Sequence, residues 1–231
     1  HPKILATANG TIYEVPIDQA NRFWSMKDAT RVIGENDEWK AVFIWQDIPG
    51  EQVMYFCDEK GSNITKSQPF PDYASLTEYY AEGKGHEPIR FKLVDTETYG
   101  NVLIGIRKNG VSDYLWSWHL WFVKEANNPL KNYSTYSNGV TFMNINLGAY
   151  TNSNGATDST TAIHDSYGLY YQWGRKDPFL RPYYHDCAGG EDEYVYSGSG
   201  SAVYVEYAET SAETGTVEYT VANPTTFIIN P

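Results

Sequence analysis

The residues of this chain with the best potential for chemistry are its 5 histidines, its serines and a few grouped carboxylates. A hydrolase serine needs a Gly-X-Ser-X-Gly turn to expose it, and the sequence has none. His86 lacks the second histidine of a zinc-protease helix, and His164, His185 and Asp186 lack a metal-ligand spacing. His119 lies in a tryptophan-rich strand, which favours a half-buried structural ring. We therefore predict no catalytic residues, no metal and, without a phosphate-binding glycine loop, no cofactor.

The densest acidic group is the run Glu191, Asp192 and Glu193, which follows two glycines. Neighbouring carboxylates in such a loop usually face solvent, and this is the interpretation that we favour. Two alternatives remain open. Glu191 or Asp192 could serve as the acid of a glycan-processing enzyme, or the group could bind calcium, although the spacing of an EF-hand loop is absent.

One aromatic segment, YGLYYQWGRKDPF at Tyr167–Phe179, combines bulky aromatic side chains with charged residues. A pyranose ring can stack on tyrosine or tryptophan while a cation and a carboxylate bind its hydroxyls. The alternative is an amphipathic helix, capped near Asp165 or Ser166, that buries its rings and forms a local ion pair. The candidate ligand-binding residues are Tyr170, Tyr171, Trp173, Arg175 and Asp177.

The net charge of −12 over 231 residues excludes binding to a nucleic-acid backbone or to an anionic membrane. No apolar run is long enough for a membrane span. The chain begins at His1 without the charged-then-apolar order of a signal peptide, so we expect a processed chain or a fragment. Its 20 tyrosines and 7 tryptophans favour a β-rich protein that binds something flat, or simply aromatic strand packing.

Two cysteines, Cys57 and Cys187, are too few for a zinc site. A disulfide between them would close a very long loop, and two free buried thiols are the interpretation that we favour.

Hydrophobic residues alternate through most of the chain, which predicts a mainly β fold. Residues 1–124 are predicted to form a β-sandwich-like domain, with one short helix near 74–81. Asn109-Gly110 predicts a type I′ hairpin turn, after which Trp116, Trp118, Leu120 and Phe122 should face the core. Residues 125–231 are predicted to form a smaller β-rich α+β unit, in which the aromatic segment is a helix. Strands are predicted in the tail, including TVEYTVA at 216–222.

Three motifs in order, LWSWHLWF, NGVTFMNINLGAY and YGLYYQWGRKDPF, resemble a domain of surface and fimbrillin-associated proteins of Bacteroidota, related to the paralogous domain first named from Fibrobacter. The resemblance covers roughly residues 101–179. Family members commonly read Met-Asp-Arg-Asn-Leu-Gly-Ala where this chain has Met143, Asn144, Ile145 and Asn146 before Leu-Gly-Ala. A later Gly-Trp-Arg-Val-Pro-type segment is also absent. The resemblance thus implies either a truncated or processed copy, or a second unit that a neighbouring chain completes.

The resemblance implies an exported module at the cell surface, on the outer membrane or a pilus, without established catalytic residues. We expect an adhesin or a pilus-associated structural subunit whose partners are other subunits of the assembly or a host glycan. The alternative is a carbohydrate-binding module or glycan-processing enzyme.

Overall fold

Strands dominate the secondary structure, as the alternating sequence pattern predicts. The computed structural model describes residues 3–6, 10–47, 52–69, 77–95, 99–131, 133–152, 163, 165–179, 194–196, 202–204 and 206–230. The strands are β1 (Lys3–Ala6), β2 (Tyr13–Val15), β3 (Glu38–Gln46), β4 (Met54–Phe56), β5 (Lys66–Pro69), β6 (Thr77–Lys84), β7 (Ile89–Leu93), β8 (Gly100–Lys108), β9 (Trp116–Val123), β10 (Tyr133–Thr135), β11 (Thr141–Met143), β12 (Tyr194–Tyr196), β13 (Ala202–Tyr204), β14 (Glu206–Glu209) and β15 (Thr226–Ile229). The helices are α1 (Asp18–Lys27) and α2 (Val217–Ala222), with 3-10 turns at Ala29–Arg31 and Glu125–Asn127.

Eight described strands form one large sheet, with the order β1-β9-β8-β3-β12-β13 and with β6 and β5 attached beside β3. A three-stranded sheet, β2-β7-β4, packs against one face of it. The main core lies between the two sheets and α1, and this arrangement is the predicted sandwich-like architecture. Trp118, Leu120 and Phe122 of β9 are buried in that core and Trp116 packs against it, so the predicted inward face is confirmed.

The opposite face of the large sheet is also covered. Its apolar residues form two smaller clusters, one around Trp45 and Leu103 and the other around Trp121 and Val123. A register shift after Phe43 marks a β-bulge, which places Ile44 and Trp45 together on this second face. The segments that cover this face come from residues 145–179, which provide Ile145, Ala149, Leu169 and Phe179.

The hairpin between β8 and β9 is confirmed, but its predicted type I′ turn is wrong. Of the two turn residues, Gly110 has a positive φ, +78°, and Asn109 does not. The turn closes with the Val111 N–H donating to the Lys108 carbonyl at 3.1 Å. This is the pattern of a type II turn. Seven residues, 109–115, separate the strands, because the chain continues to Leu115, which bonds to Ile106 and is buried.

Two secondary-structure predictions in other parts of the chain are wrong, and one helix was not predicted. Residues 77–81 belong to β6 rather than to a helix, because they pair with β5 and, from Tyr79 onward, with β3, while residues 74–76 of the predicted helix lie outside the described residues. TVEYTVA forms α2 rather than a strand, since the Thr216 side chain accepts the N–H of Tyr219 at 3.2 Å and caps the helix. The sequence pattern also missed α1, whose buried Ala20 and Trp24 lie four residues apart.

Candidate aromatic binding site

The aromatic segment forms a looped excursion rather than the predicted helix. Tyr170 and Phe179 form an antiparallel bridge, with each backbone N–H donating to the other's carbonyl at 3.0 and 2.8 Å. Residues 171–178 make up the loop between them, and they are neither α-helical nor in a strand. The helix prediction for this segment is therefore wrong, because its polar side chains bond to distant parts of the chain instead of supporting a helix.

A tight turn at Gln172–Arg175 carries Trp173 at its tip. The Arg175 N–H donates to the Gln172 carbonyl at 3.1 Å, and Gly174 has φ +79°. That positive φ at the third position fits a type II turn and requires glycine. The Trp173 side chain is fully exposed, at 101%. The turn thus displays an indole ring with no packing contribution of its own to the core.

Both ends of this turn are fixed to the C-terminal segment. The Gln172 side chain donates to the Ile228 carbonyl and accepts its N–H at 3.2 Å, which imitates a β-ladder pair. Arg175 donates to the carbonyls of Thr226 and Asn223, the latter at 2.9 Å. Its guanidinium also lies 4.5 Å from the centre of the Phe179 ring. Burial lowers the pKa of Arg175 to about 10, and the nearby Asp177 opposes that shift.

The next two residues anchor the loop to the large sheet. The Lys176 ammonium donates to both oxygens of Asp177 at 2.7 Å and to the Ser117 carbonyl at 3.0 Å. The Ser117 hydroxyl donates to Asp177 at 2.8 Å and accepts from Lys176. Burial lowers the pKa of Lys176, whereas Asp177 raises it. Because Ser117 is only 3% exposed and gives its proton to a carboxylate, this cluster is suited to anchoring rather than to nucleophilic attack.

A groove of about 650 Å³ opens beside the base of the loop. Its lining residues come from three segments: Phe142 and Met143; Ile145, Asn146 and Leu147; and Tyr167, Gly168, Leu169, Tyr170 and Tyr171. The Leu169 N–H donates to the Leu147 carbonyl at 2.8 Å, and Asn146 donates to the Ser166 carbonyl at 2.9 Å. These bonds join two of the lining segments into one surface.

The five predicted site residues therefore divide into two sets. Tyr170 and Tyr171 line the groove with 50% and 41% of their surface exposed, and Trp173 lies on the adjoining turn. Arg175 and Asp177 are 9% and 2% exposed and bond internally. The rings are open to the outer surface, whereas the two charged groups are already used in internal bonds. The assignment of all five residues to a ligand stays a prediction.

Sequence reasoning missed the opposite wall of the groove. Phe142 and Met143 are 56% and 40% exposed on β11, within the motif NGVTFMNINLGAY. These two large apolar residues are adjacent on a strand, and both are exposed. That shared exposure is the feature that identifies this wall of the groove. That exposure becomes visible only in the tertiary structure.

His119 belongs to a buried network on the second face of the sheet. Asn101 donates from its amide nitrogen to Asp47 at 2.6 Å and to the Gly148 carbonyl at 2.7 Å, so its side-chain oxygen must accept. His119 Nε2 lies 2.8 Å from that oxygen and is therefore the protonated nitrogen. Burial lowers the pKa of His119 to about 3, and the ring is neutral at physiological pH. It is 5% exposed.

The other candidate groups give little further chemistry. Among the described residues, no group of three or more histidine, cysteine or acidic side chains could hold a metal ion. The acidic run at Glu191, Asp192 and Glu193 lies outside the described residues, as does Cys187. Cys57 is a buried free thiol, and burial raises its pKa.

In the described part of the chain, no helix combines the length and the apolar character needed to cross a membrane. Comparisons with models of protein families, with curated proteins and with solved structures find no match for this chain.

Proposed function

We propose that this protein acts by binding and assembly, as a cell-surface adhesin or as a pilus-associated structural subunit. One observation carries the proposal: between Tyr170 and Pro178 the chain directs its polar side chains inward and leaves its aromatic rings exposed. Gln172, Arg175, Lys176 and Asp177 are all used in internal bonds. The rings of Tyr170, Tyr171 and Trp173 are the part left to a partner.

The rigidity of this display supports a role in binding. Binding to a loop whose backbone is already fixed costs less conformational freedom than binding that must first order the loop. Tryptophan and tyrosine are also the residues most often found at the energetic centres of interfaces. A turn fixed at both ends and tipped by a fully exposed indole has both properties.

The cell-surface location rests on the sequence resemblance over residues 101–179. The two versions of the function differ in the partner, which is a host molecule for an adhesin and another subunit for a structural protein. Exposed aromatic rings serve either version, because contiguous exposed apolar surface is typical of interaction sites.

The experiment compares the wild-type chain with Trp173→Ala and Tyr171→Ala in two assays. The first measures adhesion to immobilised matrix proteins and glycans, and the second measures filament formation by electron microscopy. Met26→Ala is the control, because Met26 is 72% exposed on α1, away from the loop. We expect the loop variants, and not the control, to lose adhesion or assembly by at least tenfold. If both loop variants keep wild-type activity in both assays, the proposed function is wrong.

A further inference from the structure

The described residues that line the groove beside the loop all have uncharged side chains. The lining residues whose side chains carry polar groups are Tyr167, Tyr170, Tyr171 and Asn146. The three tyrosines are 41–50% exposed, so their rings form part of the accessible surface. The lining is therefore amphipathic without carrying charge.

The floor of the groove is fixed by a close contact between two backbone segments. A Cβ atom at Gly168 would lie 2.6 Å from the Leu147 carbonyl oxygen, so only glycine allows this approach. Gly148, beneath Leu169, has φ +81°, and a Cβ there would meet the Leu169 side chain at 2.5 Å. These contacts hold the two backbone segments close together at the floor of the groove.

The Tyr171 hydroxyl remains protonated under physiological conditions. Burial, with a smaller contribution from Asp177, raises the pKa of Tyr171 to about 12. A neutral phenol both donates and accepts a hydrogen bond. A ligand that fits this lining needs an apolar face for the rings and hydroxyl groups at its edge.

Charge distinguishes among the ligands that have this shape. Among the residues that the structure describes, no cation lines the groove, and the whole chain carries a net charge of −12. A sialylated or sulfated glycan would lose water without gaining a positive partner. A wholly apolar peptide face would cover the tyrosine hydroxyls without offering hydrogen bonds to them.

We propose that this groove binds neutral glycans, with pyranose rings stacked on Tyr170 and Tyr171 and sugar hydroxyls bonded to the phenols of these two residues and to Asn146. The inference rests on the proposed binding function and assigns the ligand class to it. Stacking of this kind is directional but not ionic, so the affinity should depend little on salt.

The experiment measures binding of the folded chain by calorimetry to neutral oligosaccharides of glucose, galactose, mannose and N-acetylglucosamine. Sialylated and sulfated versions of the same cores are measured beside them, each at low and at high sodium chloride. We expect binding to neutral sugars that changes less than twofold with salt. Tyr170→Ala and Tyr171→Ala should each weaken it at least tenfold, whereas Tyr171→Phe keeps the stacking face and should weaken it only several-fold. Tyr207→Ala is the matched control, since Tyr207 is a 56% exposed tyrosine on β14 that does not line the groove.

Far-UV circular dichroism melts of every variant establish that a loss of affinity is not a loss of fold. A preference for the anionic glycans, or affinity that falls steeply with salt, would overturn the inference. So would the absence of binding to every neutral sugar while an apolar peptide binds at the tyrosines. In those cases the adhesion and filament assays still decide the proposed function, because loss of either activity in Trp173→Ala would support it without any glycan.

Discussion

Replacing Trp173 by alanine should leave the stability of the protein almost unchanged. A tryptophan in a core costs about 3–5 kcal/mol when it is cut back to alanine, because its transfer energy is lost and a cavity remains. Trp173 is 101% exposed, so its removal uncovers no core and opens no cavity. Surface substitutions of this kind usually change the free energy of unfolding by less than about 0.5 kcal/mol.

Urea unfolding followed by far-UV circular dichroism measures this change without relying on tryptophan fluorescence. Trp45→Ala is the internal reference, since Trp45 is 1% exposed and belongs to the cluster with Leu103 and Phe179. We expect a loss of about 3–5 kcal/mol for Trp45→Ala and of less than about 0.5 kcal/mol for Trp173→Ala. A loss above about 1 kcal/mol for Trp173→Ala would mean that the indole packs against the protein, and the argument for a displayed ring would be wrong.

Three further predictions concern the anchors of the loop, the floor of the groove and the buried histidine. Lys176→Met leaves the 2% exposed carboxylate of Asp177 without its cation and should lower the free energy of unfolding in urea by about 3–5 kcal/mol. Lys84 is exposed, so Lys84→Met is the control and should have little effect. Gly168→Ala forces a Cβ against the Leu147 carbonyl and should cost about 1–3 kcal/mol, whereas Gly34→Ala, whose nearest neighbour would be at 3.6 Å, should be close to neutral. Above pH 6.5 the His119 ring is neutral in the folded and in the unfolded chain. Between pH 6.5 and the folded-state pKa near 3, only the unfolded chain takes up the proton. The free energy of unfolding should therefore fall by about 1.4 kcal/mol for each pH unit across this range. The difference between wild type and His119→Gln in urea unfolding at pH 7, 5 and 4 isolates this slope from the carboxylates, and parallel pH profiles would contradict it.

The strand pattern was readable in the sequence because alternation reports directly which side chains must leave water. The four alternate residues of β9 from Trp116 to Phe122 show this, because an apolar row on one face of a strand packs toward the core between the two sheets of a sandwich. The opposite row was harder to assign. Ser117, His119 and Trp121 are also buried, because residues from the C-terminal half cover that face.

The aromatic segment shows what local sequence could not decide. YGLYYQWGRKDPF has the ring spacing and terminal cations of an amphipathic helix, but Gln172 and Arg175 find partners at residues 223–228, some fifty positions away. Lys176 and Asp177 likewise bond to Ser117, about sixty positions earlier. Bonds of this separation depend on which segments the fold brings together, and no local propensity encodes them.

The sequence alone thus determined the mainly β class and the presence of an aromatic segment without nearby nucleophiles. Only the tertiary structure decided that the charged residues of that segment are anchors, that its rings face outward, and that Phe142 and Met143 complete a groove with Tyr170 and Tyr171. The physical reason is that burial depends on the whole chain. A ring or a charge becomes surface or core only when distant segments cover it or leave it exposed.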